Sequence, residues 1–181
     1  MRGTLVSTRW RRVLCPLSLA LIYLTIVKPV FAAPAGQDNA VHDIVSGIVS
    51  YTRWPAPHGK PTLCIFASSA YVTALSHGAP DAHSYKPVTV QNEQQALAAK
   101  CDVLYFGRET PEQQQQIMNG FQSRPMLTIG EQNAECIIGS AFCLQMNSQR
   151  VSFSVNLDAL SRSGVRVNPD VLMLARNKKH E

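Results

Sequence analysis

The residues of this 181-residue chain whose types could do chemistry are five cysteines, five histidines and a scatter of carboxylates. Cys15 lies inside an apolar stretch near the N-terminus. The other four, Cys64, Cys101, Cys136 and Cys143, fall in the body of the chain. Cysteines that hold zinc usually come in tight C-x₂₋₄-C pairs. Here Cys136 and Cys143 have six residues between them, and neither Cys64 nor Cys101 has a Cys or His beside it. A C-x-x-C redox motif is missing, and no motif supplies the depressed thiol pKa that a thiol oxidoreductase needs. Four cysteines in an oxidising compartment imply two disulfides, with three formal connectivities.

The histidines and carboxylates give no catalytic set. His77, Asp81 and His83 are the one metal-like grouping, but His-x₅-His across a Gly-Ala-Pro turn reads as a solvated loop. His42 and His58 are isolated in sequence, and His180 sits near the C-terminus. Glu109, Glu112, Glu131 and Glu135 occupy loop or helix-start positions that favour acidic residues for ordinary reasons. No G-x-G-x-x-G, Walker A, H-E-x-x-H or G-x-S-x-G motif occurs. An enzyme needs a base, an orienting group and a charge stabiliser in one pocket, so the expectation is a non-enzyme without metal or cofactor.

Charge separates the chain at about residue 32. Residues 1–32 hold five of the 17 basic residues and no Asp or Glu, which leaves 12 basic against 12 acidic residues in the rest. A neutral domain without a Lys/Arg cluster offers no phosphate-tracking surface, which excludes nucleic acid as the expected partner. Arg2, Arg9, Arg11 and Arg12 precede the apolar run Val13 to Val27, and Val30-Phe31-Ala32 has the form of a cleavage site. This is the layout of a secretory signal peptide, and the run is short of a spanning helix. Residues 33–181 are then expected to form one exported domain that does not span the membrane.

The elements that would position any site follow from periodicity. Val41, Ile44, Val45, Ile48 and Val49 keep helical spacing behind a cap at Asp38-Asn39, and Leu63 to Ala67 reads as a buried strand. Ser68 or Ser69 is expected to cap a second helix carrying Tyr71, Val72 and Leu75. Strands are expected at Pro87–Val90, Cys101–Phe106 and Met126–Ile129, with helices at Glu93–Lys100 and after Thr110-Pro111-Glu112. The glutamine run Gln113–Gln116 reads as a solvated helix face. From Cys136 onward Ile137-Ile138, Phe142–Met146 and Val151–Val155 are expected as consecutive strands, the last two a hairpin. Asp158–Arg162 and Pro169–Arg176 look helical, and residues 177–181 form a polar tail. The whole is a single-domain α/β sandwich, mostly parallel, with an antiparallel C-terminal hairpin and flanking helices.

Several segments together carry a resemblance. They are Tyr51-Thr-Arg-Trp-Pro55, Pro61-Thr-Leu-Cys-Ile-Phe66, Tyr105-Phe-Gly107, the run Glu131 to Cys143, Val155-Asn-Leu-Asp-Ala-Leu160 and Ser163 to Arg176. Taken together they resemble the YfiR family of periplasmic repressors, over essentially the whole mature chain. The resemblance implies a dimeric periplasmic regulator that binds the periplasmic sensor domain of an inner-membrane diguanylate cyclase. It would keep cyclic di-GMP low, with envelope or reductive stress relieving the repression. It also implies the pairings Cys64–Cys101 and Cys136–Cys143. The segment after the hairpin, with Leu160, Arg162 and Val165, is taken as partner-binding. The competing class is a periplasmic small-ligand or solute-binding sensor, because α/β sheets commonly present ligands at strand carboxyl ends.

Overall fold

The computed structural model describes residues 35–55, 59–77, 83–121, 124–147 and 150–176. The expectations for the leader, His58, Asp81, His180 and the tail at 177–181 lie outside these residues. Helix α1 (Ala35–Ser50) starts three residues before the expected cap, so Asp38 sits in its first turn, where a carboxylate suits the helix dipole. It packs Val41, Val45, Ile48 and Val49 inward. Strand β1 (Thr52–Arg53) follows, then β2 (Thr62–Phe66), α2 (Val72–Ser76), β3 (Lys86–Val90), α3 (Glu93–Ala98), β4 (Val103–Phe106) and α4 (Pro111–Asn119). After β5 (Leu127–Gly130), the hairpin β6 (Phe142–Met146) and β7 (Val151–Val155) leads to α5 (Leu157–Arg162), β8 (Arg166–Val167), a 3₁₀ turn and α6 (Leu172–Arg176).

Six strands form one sheet in the order β3-β2-β4-β5-β6-β7, parallel throughout except for the antiparallel β6–β7 pair. Period-two alternation sends Leu63, Ile65, Val103, Tyr105, Leu127 and Ile129 to one face, where they meet α1 and α2. Cys64, Phe66, Leu104 and Phe106 go to the other face, where they meet Ala96 of α3, Ile117 and Met118 of α4, and Phe121. The α/β sandwich expected from the sequence is therefore present, with a core on each side of the sheet.

Three local expectations are corrected, and one small sheet is added to them. Ser69 does not cap α2: its Oγ accepts from the Tyr71 N–H 2.9 Å away in a tight turn, and the helix begins later, at Val72. Ile137-Ile138 is not a strand, because Cys136 (φ 53°) and Gly139 (φ 81°) bracket it with left-handed backbone that breaks any extended run. The glutamine run is not wholly a solvated face, since Gln114 is completely buried. A second, two-stranded sheet pairs β1 with β8, with Thr52 opposite Val167 and Arg53 opposite Arg166. Two residues per strand are too few to leave a readable alternation.

Candidate functional site

In a doubly wound sheet, ligands bind beyond the strand carboxyl ends where the strand order reverses. Here β2 pairs with β3 on one side and β4 on the other, so that place lies between the loops after β2 and β4. It is filled. Gly107 approaches the neighbouring loop so closely that a Cβ there would stand 2.2 Å from the Ser69 nitrogen. Glu109 closes the gap, accepting from Ser68 Oγ at 2.6 Å and from the Gly107 N–H at 2.8 Å. Glu131, at the end of β5, accepts from the Ala70 N–H at 3.0 Å.

Glu131 is buried, and burial raises its carboxyl pKa against the opposing pull of Ser69, the Ala70 N–H and Tyr105. The Tyr105 hydroxyl and Glu131 Oε2 have no well-formed hydrogen bonds, so this cluster is the polar interior of the clamp. Perturbed carboxylates of this kind mark active sites in many proteins, and structural networks in others. Backbone-to-backbone closure at Gly107 favours the structural role. The sequence separated Glu109 and Glu131 by 22 positions and gave no sign that they converge.

The histidines also differ from expectation. His42 is not isolated: its Nε2 and His83 Nδ1 lie 3.0 Å apart, one ring donating and the other accepting. His83 is buried beside Tyr85, and burial followed by the His42 ring lowers its pKa. His77 is exposed, and no group of three or more metal-ligating side chains occurs among the described residues.

The next loop along the sheet edge, between β5 and β6, is built differently. Both disulfides are present, Cys64–Cys101 and Cys136–Cys143, each with Cα atoms 5.7 Å apart. The first ties β2 to Cys101, two residues before β4, inside the α3/α4 core, and both its cysteines are fully buried. The second closes the excursion that carries Ile137 and Ile138.

Three amides hold that excursion from inside. Asn133 Nδ2 donates to the Ile138 carbonyl and Asn156 Nδ2 to the Ile137 carbonyl, each at 2.7 Å. Asn156 Oδ1 also caps α5 by accepting from the Ala159 N–H. Gln114, locked by the Thr110/Gln113 capping box at the start of α4, accepts from Ser140 Oγ at 2.7 Å and donates to the Glu109 carbonyl at 2.9 Å. A Cβ on Gly139 would lie 2.7 Å from Gln114 Oε1, so both φ and contact demand glycine there.

With its backbone satisfied from below, the excursion turns its side chains outward. Ile137 is 68% exposed, Ile138 40%, and Leu157 at the start of α5 73%. Exposed apolar side chains grouped in one patch mark contact surfaces, and Asn156, the residue before Leu157, reaches the Ile137 carbonyl. A groove of about 380 Å³ runs beside them, between α4, the excursion and α5. Of the three partner-binding residues expected from sequence, Arg162 lines this groove, exposed and ion-paired with Asp158. Leu160 is partly buried against the core, and Val165 is buried.

A family model described as YfiR/HmsC-like matches residues 38–176. The chain belongs to the YfiR/HmsC-like family. That span takes in every strand, both disulfides and the groove, and leaves out only the first three residues of α1 among the described residues. At the level of the family, the chain is a regulator in periplasmic diguanylate cyclase signalling. Among the described residues no helix is long and apolar enough to cross a membrane.

Proposed function

We propose that this protein represses an inner-membrane diguanylate cyclase by binding its periplasmic sensor domain, and that envelope or reductive stress relieves the repression. Family membership supports the regulatory half of this reading. The observation that carries the docking half is the isoleucine pair on the disulfide-braced excursion, outward-facing on a loop whose Ile137 and Ile138 carbonyls are held by Asn156 and Asn133. Rigid apolar anchors with a polar rim are what a specific interface needs. Ile137, Ile138 and Leu157 supply the anchors and Arg162 the rim, while Leu160 and Val165 act by seating α5 on the core. The filled crevice between β2 and β4 counts against a solute-binding protein of the usual α/β kind.

Residues 1–32 act as a cleaved export signal in this reading, and intact-mass measurement on periplasmic protein should give a chain starting near Ala33. A full-length membrane-embedded product would refute that part. A homodimer, which the resemblance implies, is checked by sedimentation of the exported protein.

The functional test has two arms. Deleting the gene should raise cellular cyclic di-GMP only when the cognate cyclase is present. Ile137→Asp combined with Ile138→Asp should reproduce the deletion while the melting temperature stays within a few degrees of wild type, since Ile137 is mostly and Ile138 partly in water already. Full repression by this folded double variant would move the interface elsewhere.

A further inference from the structure

The groove beside the excursion has the construction of a small-molecule site. Its volume of about 380 Å³ lies within the range of ligand pockets. Met118, Phe121, Met126 and Ile138 make its surface largely apolar, and two methionines give that surface the adaptability of thioether side chains. Arg124 and Arg162 lie at its edge. Asp158 is the acidic side chain in the lining, and it is already joined to Arg162. The charge left over is positive and sits on Arg124, whose Nη2 reaches the Cys101 carbonyl at 3.5 Å, the limit of a hydrogen bond. A guanidinium anchored so loosely keeps most of its five donors for another acceptor, and its planar fork fits a carboxylate bidentately.

We propose that this groove binds a small amphipathic anion, an apolar body with a single carboxylate-type head, with Arg124 holding the head and the Met118–Phe121–Met126–Ile138 surface holding the body. A cationic ligand would be repelled by the exposed Arg124 guanidinium, and a neutral one would make no use of its charge. The ligand shares Ile137 and Ile138 with the proposed cyclase-docking patch, so occupancy and docking are mutually exclusive. The site thus gives the repressor a chemical input besides its disulfides. This regulatory consequence rests on the docking reading above, but the binding itself does not.

Binding is measured on the exported protein alone, without the cyclase, so its outcome is independent of whether docking is correctly placed. The probe is decanoate, titrated by calorimetry below micelle-forming concentrations, with decan-1-ol as its uncharged counterpart. Decanoate should bind at least about tenfold more tightly than decanol, the span of one charge-assisted contact. Arg124→Gln should remove that advantage and leave decanol unchanged, and Ile138→Glu should abolish decanoate binding. Circular dichroism melts establish that each variant is folded. Equal affinity for decanoate and decanol, wild-type decanoate affinity in folded Arg124→Gln, or no binding by wild-type protein would each overturn the proposal.

Discussion

Two loop systems at the same edge of the sheet are built on opposite plans. Where the strand order reverses, carboxylates point inward: Glu109 and Glu131 tie the Ser68–Tyr71 turn down, and Gly107 lets the backbones touch. One excursion further on, neutral amides point inward and isoleucines point out. Folded proteins usually bury the apolar residue and expose the charged one. Inverting both preferences in adjacent loops costs stability at each, which selection tolerates where a surface has work to do. The crevice that this fold normally offers to ligands has been given over to rigidity, and the neighbouring loop exposes two isoleucines beside it.

The sharpest way to break this contrast is to loosen the rigid half. Cys64→Ser with Cys101→Ser opens a loop of 37 residues between fully buried positions. Chain-entropy reasoning assigns it roughly 4 kcal/mol, or a fall of about 10 °C in melting temperature for a domain of this size. Repression should be lost with the folded protein and recover at lower temperature. A melt within about 2 °C of wild type would mean that this bond adds little to the core.

Gly107→Ala tests the closed crevice directly. The new methyl would overlap Ser69 backbone, which has no rotamer to escape into, so a loss of about 2–3 kcal/mol is expected. Unchanged stability would show that the two loops can separate, and would revive the ligand-sensor reading at that position.

Removing the Cys136–Cys143 bond by paired serine substitutions should separate stability from function. Its short loop sets an upper limit of about 2.5 kcal/mol, and Asn133, Asn156 and Gln114 retain part of the loop geometry without it. A thermal loss smaller than that of Gly107→Ala is expected, together with a larger loss of repression, because the isoleucine pair is no longer presented on a rigid loop. Full repression without this bond would detach the braced loop from function. Non-reducing peptide mapping of wild-type protein should recover the two local pairs, and a Cys64–Cys136 cross-link would contradict them.

Much of this architecture was legible in the residues. Apolar periodicity placed α1, β2, β4, β5 and the β6–β7 hairpin, because each buries enough side chains to leave a pattern. The Thr110-Pro111 start of α4 was legible because its capping is local. What escaped was contact between distant residues. Nothing near Gln114 in the chain says that a glutamine in a polar run will be swallowed by Ser140, 26 positions on. His42 and His83, 41 positions apart, gave no sign of their hydrogen bond either. Ile137-Ile138 reads as strand by composition, and only the left-handed backbone at Cys136 and Gly139 turns the pair outward.

The smallest expected effect sharpens the comparison most finely, because it asks whether the inward carboxylate is a cost. Burial raises the Glu131 pKa, so the folded protein holds its proton to higher pH than the unfolded chain does. Stability from this group is therefore greatest at and below about pH 4.5 and declines as pH rises through the shifted value. His83 runs the other way: its lowered pKa makes the unfolded chain the better proton acceptor, so stability falls as pH drops below about 6.5. Glu131→Gln keeps an oxygen for the Ala70 N–H and offers an amide hydrogen to the Tyr105 hydroxyl, which makes no well-formed hydrogen bond in the wild type. The variant should match wild type near pH 4.5 and exceed it at pH 7, by an amount within the ~1 kcal/mol of an ordinary hydrogen-bond exchange. The decline below pH 6.5 should persist, since it belongs to His83. Thermal melts across pH 4–8 on both proteins read the difference directly. If Glu131→Gln is instead less stable than wild type at pH 7 by more than it is at pH 4.5, the ionised carboxylate is itself the clamp, and the closed loop is held by charge rather than in spite of it.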